Sequence, residues 1–512
     1  MKPNILLIMT DQQQAKLRKA AGYELDTMPN LDGLGQSGTD FERCYTPNPT
    51  CSPARTSLFT GRFPSAHKVR TNHNLRDARY HRDLLDVLKE AGYMTAICGK
   101  NHTYFNPRDR MDFQAESDHL GKEWGADSEP DSPMQADFRQ FLQDTDFIDS
   151  AVPTPFPVEC QLPYRNVSAC LRFFDKWKCE SAQDQPFFAW VSFAEPHNPY
   201  QVPEPYFSMF PPESLPKLKS ADLDLSEKGH KFPWIKGVWD EVIGDDPARI
   251  DRMRASYHGM LRLIDDQLGR LLDGLDQRGL ADSTIVIYVS DHGDFAGEYG
   301  MMRKGTDLPD CLTRVPMIWR IPGLTALGRT SCGTVSLCDI MPTLCDLLDI
   351  EIPLGVQGRS IRPLLEGGTV PGEFDVGYSE SGFGGLYWDE NDGLDLCAEG
   401  ACRNRDTFDC LNTWTQCGQV RMAVKGEWKI QCDMLGNCCL YNLASDPDEI
   451  CNLAEDPEFT DVKADMLREL TAAILRADDP LPPPHHRYRI KRHPKNYMMQ
   501  SWRADDPGIM EV

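Results

Sequence analysis

Five short apolar runs, rich in β-branched and aromatic residues, punctuate the chain up to Ile321: Asn4–Thr10, Met94–Cys98, Phe187–Phe193, Thr284–Ser290 and Pro316–Ile321. They are nearly continuous rather than alternating, and too short for helices, which predicts strands buried on both faces. A different period runs between them. Leu84, Leu85, Val87 and Leu88 read as one helical face. Ile250, Met253, Tyr257, Met260, Ile264, Leu268, Leu271 and Leu275 recur every three or four positions and predict a longer amphipathic helix. Ile340–Leu348 repeats the pattern, with Asp339 expected as its N-cap. Strands alternating with helices imply an α/β sandwich around a large, mostly parallel sheet.

The texture changes near residue 370. Gly382–Gly418 is rich in Gly, Asp, Asn and Cys and reads as a long loop insertion. Val420–Cys432 and Cys438–Leu443 suggest an antiparallel hairpin, and Phe459–Arg476 a closing helix. The expected organisation is a catalytic-sized α/β domain over 1–370, a smaller C-terminal α+β domain over 371–479, and a basic tail over 480–512. The tail carries Arg487, Arg489, Lys491, Arg492 and Lys495 beside Tyr488, Ile490, Tyr497 and Trp502. Apolar anchors within a basic stretch favour docking on an acidic body, and so a homo-oligomer, over a solvated end.

A formal net charge of −24 argues against a nucleic-acid partner. It also repels anions at long range, but screening confines that repulsion to about 8 Å, so a cationic pocket can still capture one. No apolar stretch approaches the roughly 20 residues that span a bilayer. The run after Met1-Lys2-Pro3 is too short for a secretion signal, so the expected location is cytoplasmic. The 18 cysteines are accordingly expected to be reduced thiols. Cys397, Cys402, Cys410 and Cys417 lack the short paired spacing of structural zinc sites and are expected as thiols too.

Candidate chemistry collects where strands end, as it does in open α/β sheets. The first strand ends in Asp11-Gln12 and the fourth in Asp291-His292. Lys100 and His102 follow the second strand, Glu195-Pro196-His197 follows the third, and Lys304 lies thirteen residues after Asp291. Between the first and second strands stands Cys51-Ser52-Pro53-Ala54-Arg55, then Thr56-Ser57-Leu58-Phe59-Thr60-Gly61-Arg62.

That Cys-x-Pro-x-Arg pentad, with the strand-end residues, resembles the formylglycine-dependent sulfatases. These arylsulfatase-like members of the alkaline phosphatase superfamily are related to phosphonate monoester hydrolases. Strong motifs carry the resemblance over roughly residues 3–350, and Leu440–Glu449 with Asn452-Leu453-Ala454 resembles the family's C-terminal segment. The resemblance implies an alkaline-phosphatase-like sandwich and conversion of Cys51 to formylglycine by a maturation enzyme. It implies one divalent cation held by Asp11, Gln12, Asp291, His292 and the modified residue 51. Calcium is the first expectation, with Mg²⁺ or Mn²⁺ open because Gln12 stands where the family usually has a second Asp. Arg55 corresponds to the residue holding the aldehyde hydrate. Lys100, His197 and Lys304 correspond to positions for sulfate or its leaving group, and Asn72 is a weaker sulfate contact. In the family chemistry one hydroxyl of the hydrate attacks sulfur, a His protonates the leaving oxygen, and the second hydroxyl drives sulfate out. Either His197 or His102 is placed for that proton. The implied function is hydrolysis of sulfate monoesters of a small alcohol, sugar or aryl. Hydrolysis of phosphonate monoesters or phosphodiesters is the alternative, since Gln12 and His292 are compatible with it, although those relatives tend to carry Tyr and Thr at positions 100 and 102.

Overall fold

The computed structural model describes residues 2–116, 132–145, 147–181, 185–228, 231–244, 246–305, 307–324, 328–368, 372–384 and 418–478. The cysteine quartet at 397–417 and the basic tail lie outside them, as does most of the loop insertion.

Strands number β1 Asn4–Asp11, β2 Thr39–Phe41, β3 Cys44–Tyr45, β4 Met94–Gly99, β5 Phe113–Ala115, β6 Phe187–Pro196, β7 Thr284–Ser290, β8 Met317–Arg320, β9 Arg329–Ser331, β10 Val335–Ser336, β11 Val376–Ser381, β12 Val420–Lys425, β13 Trp428–Asp433 and β14 Cys438–Asn442. The main sheet has eight strands in the order β5-β4-β6-β1-β7-β8-β2-β9. Its centre, β4-β6-β1-β7, is wholly parallel, and β8 runs antiparallel to both neighbours. All eight residues of β1 are buried, as continuous hydrophobicity demands of a strand covered on both faces. Alternate residues feed two cores: Leu6 and Ile8 pack with the helices Leu162–Glu180 and Pro247–Gln277, and Ile5, Leu7 and Met9 with Ile340–Leu347. Each such side chain contributes about 1.5–3 kcal/mol when fully buried.

The long helix starts at Pro247, capped by Asp246, whose side chain accepts from the Ala248 amide at 3.0 Å. The helix at Ile340 is begun differently than expected. Asp339 lies in a preceding turn and accepts instead from the Ser336 and Arg359 amides, at 2.9 and 2.7 Å. Asp339 does stand at the helix's N-cap position, but its carboxylate closes a capping box with Ser336 in the preceding turn, so the helix inherits a turn already formed and receives no side-chain cap from it.

A separate antiparallel sheet, β11-β12-β13-β14, is covered by the helix Thr460–Asp478. The expected antiparallel pairing is present, but Val420–Cys432 is two strands, β12 and β13, that turn back between Lys425 and Trp428 before β14, and β11 joins the edge from before the loop insertion. The register of β13 and β14 sets Cys432 opposite Cys438 with Cα atoms 4.2 Å apart, and the two are joined by a disulfide. That corrects the expectation of uniformly reduced thiols, because the strand register brings two cysteines far enough apart in sequence to look independent directly face to face. The other twelve described cysteines are free. No described helix is long and apolar enough to cross a membrane.

Candidate active site

Parallel pairing is what assembles the site. With β4, β6, β1 and β7 adjacent and codirectional, their carboxyl ends deliver Lys100, His197, Asp11 with Gln12, and Asp291 with His292 to one edge. Register shifts between Met9 and Asp11, so that Asp11 pairs with Pro196 where Met9 pairs with Ser192. The chain then turns at Gln12, whose φ of 72° lies in the left-handed region that a β-carbon disfavours. Three contacts hold it there: the Gln12 amide donates to Asp291 Oδ1 at 3.1 Å, Tyr257 Oη donates to the Gln12 carbonyl at 2.7 Å, and Gln12 Nε2 donates to Asp294 Oδ2 at 2.5 Å. The amide oxygen of Gln12 therefore faces Lys304 Nζ, at 3.2 Å. Beyond His292 only glycine fits, because a β-carbon at Gly293 would stand 1.8 Å from the Cys311 carbonyl oxygen.

Cys51 opens the helix Cys51–Thr60, every residue of which is buried. Asn72 Oδ1 accepts the Ser52 amide at 3.0 Å, so Asn72 stands at the helix start beside position 51. Around Cys51 Sγ lie Lys304 Nζ at 3.1 Å, His292 Nε2 at 3.2 Å, Asp11 Oδ1 at 3.6 Å and Lys100 Nζ at 3.9 Å. Burial and the Asp11 charge push the thiol up, but Lys100, Lys304 and His292 outweigh them and bring it to about 5. Its place at a helix N-terminus acts in the same direction.

Arg55, one turn on, is fully buried beneath this group. Its Nε donates to Asp291 Oδ2 at 2.7 Å, Nη2 to Asp11 Oδ2 at 3.0 Å, and Nη1 to Ser192 Oγ at 2.8 Å. Lys100 Nζ lies 2.6 Å from Asp11 Oδ2. Burial would raise the Asp11 carboxyl, but Lys100 and Arg55 hold it well below the usual range. Asp291 goes the other way, to about 6, because burial and the neighbouring Asp11 charge both oppose its ionisation.

His292 and His197 are fixed in opposite circumstances. His292 Nδ1 bonds to the Gly293 carbonyl at 2.8 Å, which turns Nε2 toward Asp11, Asp291 and Cys51. Burial disfavours its protonation, but Asp291 and Cys51 prevail and raise its pKa. His197 Nδ1 bonds to the Asn198 carbonyl at 2.9 Å, and Nε2 meets Lys304 Nζ at 3.1 Å. Burial and then Lys304 hold it well below the usual imidazole range. His102, buried with a φ of 46°, is likewise lowered by burial, Lys100 and Arg55.

The structure thus brings all eleven sequence-selected positions to this one edge or its rim. Asp11, Cys51, Asp291 and His292 place one donor atom each within 4.8 Å of one another, and Gln12 shares Lys304 with Cys51, its oxygen accepting from Nζ at 3.2 Å. Two carboxylates, an amide oxygen and an imidazole nitrogen suit a divalent cation, and the mutual repulsion of Asp11 and Asp291 is what such an ion relieves. Two residues escaped the sequence reading. Asp294 anchors the Gln12 side chain and Tyr200 Oη, and burial raises it to about 6. Its place in Asp291-His292-Gly293-Asp294 was the available signal. Glu195, partly buried two residues before His197, is pushed by burial to about 7. No pattern distinguishes it from an ordinary strand-end acid.

The sequence profile of the Sulfatase family matches residues 3–350, and the chain belongs to that family. It is a sulfuric ester hydrolase. It is similar to an arylsulfatase of Clostridium perfringens, with 31% identity over 72% of this chain and 79% of the relative. It also resembles an uncharacterized sulfatase, YidJ, of Escherichia coli, at 27% identity over 98% of this chain and 91% of the relative. Among solved structures, the phosphonate monoester hydrolase of Agrobacterium radiobacter superposes with a TM-score of 0.74 at 26% identity, covering 93% of this chain and 96% of that one.

Proposed function

We propose that the enzyme hydrolyses sulfate monoesters of small alcohols, sugar or aryl, at position 51, with the named residues in the following roles. The observation supporting it most directly is the convergence of Lys100, Lys304 and His292 on Cys51 Sγ. A site that depresses a thiol so far is built for negative charge at that point.

Oxidation of Cys51 to formylglycine would supply, on hydration, two hydroxyls on one carbon in place of one thiol. A divalent cation, calcium first, bound by Asp11, Gln12, Asp291, His292 and residue 51 would supply Lewis-acid polarisation of a sulfate oxygen. The chain's own groups do the rest. Arg55 clamps Asp11 and Asp291 from below, which fixes both carboxylates without solvent reorganisation. Lys100 and Lys304 take the non-bridging sulfate oxygens, and Asn72 stands beside them at the helix start. Burial, and then Lys304 facing its Nε2, favour the neutral form of His197 in the free site. A bound sulfate draws that ammonium to itself, frees Nε2 and favours its protonation, so His197 can then donate to the leaving oxygen. His102 is the second candidate for that proton.

The similarity to a phosphonate monoester hydrolase supports the alternative substrate class, and Gln12 and His292 are compatible with it. Lys100 and His102 favour sulfate. Comparing kcat/KM for nitrophenyl sulfate, sulfated monosaccharides and a phosphonate monoester decides between them, and a phosphonate preference would overturn the sulfate reading. For the cation, Asp291→Asn should weaken calcium binding by about 10- to 100-fold in direct titration, since an amide brings no charge. Unchanged turnover after exhaustive chelation would remove the metal from the reaction.

The basic tail at 480–512 remains our candidate for an oligomer contact. Light scattering of a chain ending at Pro480 tests it, with unchanged mass as the contrary result.

A further inference from the structure

Lys304 sits on a loop that is held from two sides. On the near side, the Arg303 amide donates to Asp294 Oδ1 and to Tyr200 Oη, each at 2.9 Å. On the far side the contacts come from the C-terminal sheet and the turn after it. Lys429, in β13, donates from Nζ to the Leu308 carbonyl at 2.5 Å, and Gln431 Oε1 accepts the Leu308 amide at 3.2 Å. Glu449 Oε2 accepts the Asp310 amide at 2.9 Å, while its Oε1 lies 2.5 Å from Lys429 Nζ. Tyr299 Oη donates to the Asp448 carbonyl at 2.9 Å, upstream of Lys304. Lys228 Nζ donates to the Glu449 carbonyl at 2.5 Å and lies 4.6 Å from the ring centres of both Tyr299 and Tyr441.

Lys429 is fully buried and Glu449 is 1% exposed. A buried ion pair is a costly way to hold two surfaces together, and an apolar pair of equal volume often does as well or better. Here both ions direct their remaining capacity at the backbone of Leu308 and Asp310, which an apolar pair cannot grip. Glu449 also adopts a φ of 53°. The contacts hold Tyr299 and Arg303 on one side of Lys304 and Leu308 and Asp310 on the other.

We propose that the Lys429–Glu449 pair is a positioning device for the catalytic loop. By clamping Leu308 and Asp310 it sets the place of Lys304 Nζ among Cys51, Gln12 and His197, so the small C-terminal sheet tunes sulfate capture without touching substrate. This rests on the sulfate-binding role given to Lys304.

The test is a double-mutant cycle on matured enzyme with nitrophenyl sulfate. Lys429→Met should lower kcat/KM by about 10- to 100-fold, as misplacing a catalytic group by about an ångström does. In a Lys304→Ala background the same change should lower it by no more than about twofold, because the group it positions is gone. Glu449→Gln, nearly isosteric, should behave alike and serves where Lys429→Met does not fold; Lys429→Arg, which keeps a donor cation, should recover part of the loss. Equal losses in both backgrounds would mean general destabilisation and overturn the proposal. So would wild-type rates for Lys429→Met and Glu449→Gln when Lys304→Ala is crippled, a result that leaves the role of Lys304 standing. Wild-type rates for Lys304→Ala would instead refute that role.

Discussion

Cys51→Ala protein is expected to fold and to lose turnover by about 10⁴-fold or more, the scale seen when a nucleophile is removed from a site that works as a unit. The substituted alanine keeps the β-carbon of a fully buried position at the start of a buried helix, so the melting transition should stay cooperative. The same position should carry the modification in active enzyme. Mass spectrometry of the peptide spanning residues 44–62 should show about 18 Da missing, as conversion of CH₂SH to CHO requires. An active preparation in which Cys51 is wholly unmodified would end the formylglycine mechanism.

The second large effect is expected at His197. His197→Ala should slow alkyl and sugar sulfates by about 10²- to 10⁴-fold, the range of a lost general acid. Nitrophenol departs without a proton, so nitrophenyl sulfate should be nearly spared. Lys100→Ala and Lys304→Ala should depress both substrate types together, because they act on the sulfate end. Equal losses for His197→Ala on good and poor leaving groups would transfer the acid to His102.

Much of this was legible before any coordinate. The strands β1, β4, β6, β7 and β8 declare themselves through unbroken apolar runs, because a strand covered on both faces, whether parallel or, like β8, antiparallel, has few polar positions to interrupt the pattern. The site residues follow from the strand ends. What resisted reading was whatever depends on a second part of the chain. β11 shows no hairpin partner next to it in sequence, since its neighbour β12 comes only after the long insertion. Asp339 looks like a helix cap until Ser336 and Arg359 claim its carboxylate. Cys432 and Cys438 look like two thiols among eighteen until strand register sets them face to face. Lys429 and Glu449 carry no local signature, and only the fold shows that they reach the loop bearing Lys304.

Arg55 has a consequence for how such an enzyme can change. Its guanidinium spends its donors on Asp11, Asp291, Ser192 and the Lys100 carbonyl, with no exposure to water. Removing it takes the guanidinium from buried Asp291 and leaves Asp11 with Lys100, a loss of several kcal/mol by the usual cost of breaking a buried ion pair. In a saturation library sorted only for soluble protein, with no selection for turnover, position 55 should therefore already be depleted of every alternative, lysine included. Free variation at position 55 would show that the site floor bears no weight. Variation that retunes the substrate then has to enter above the catalytic groups, as at the partly buried Glu195, while the floor beneath stays fixed.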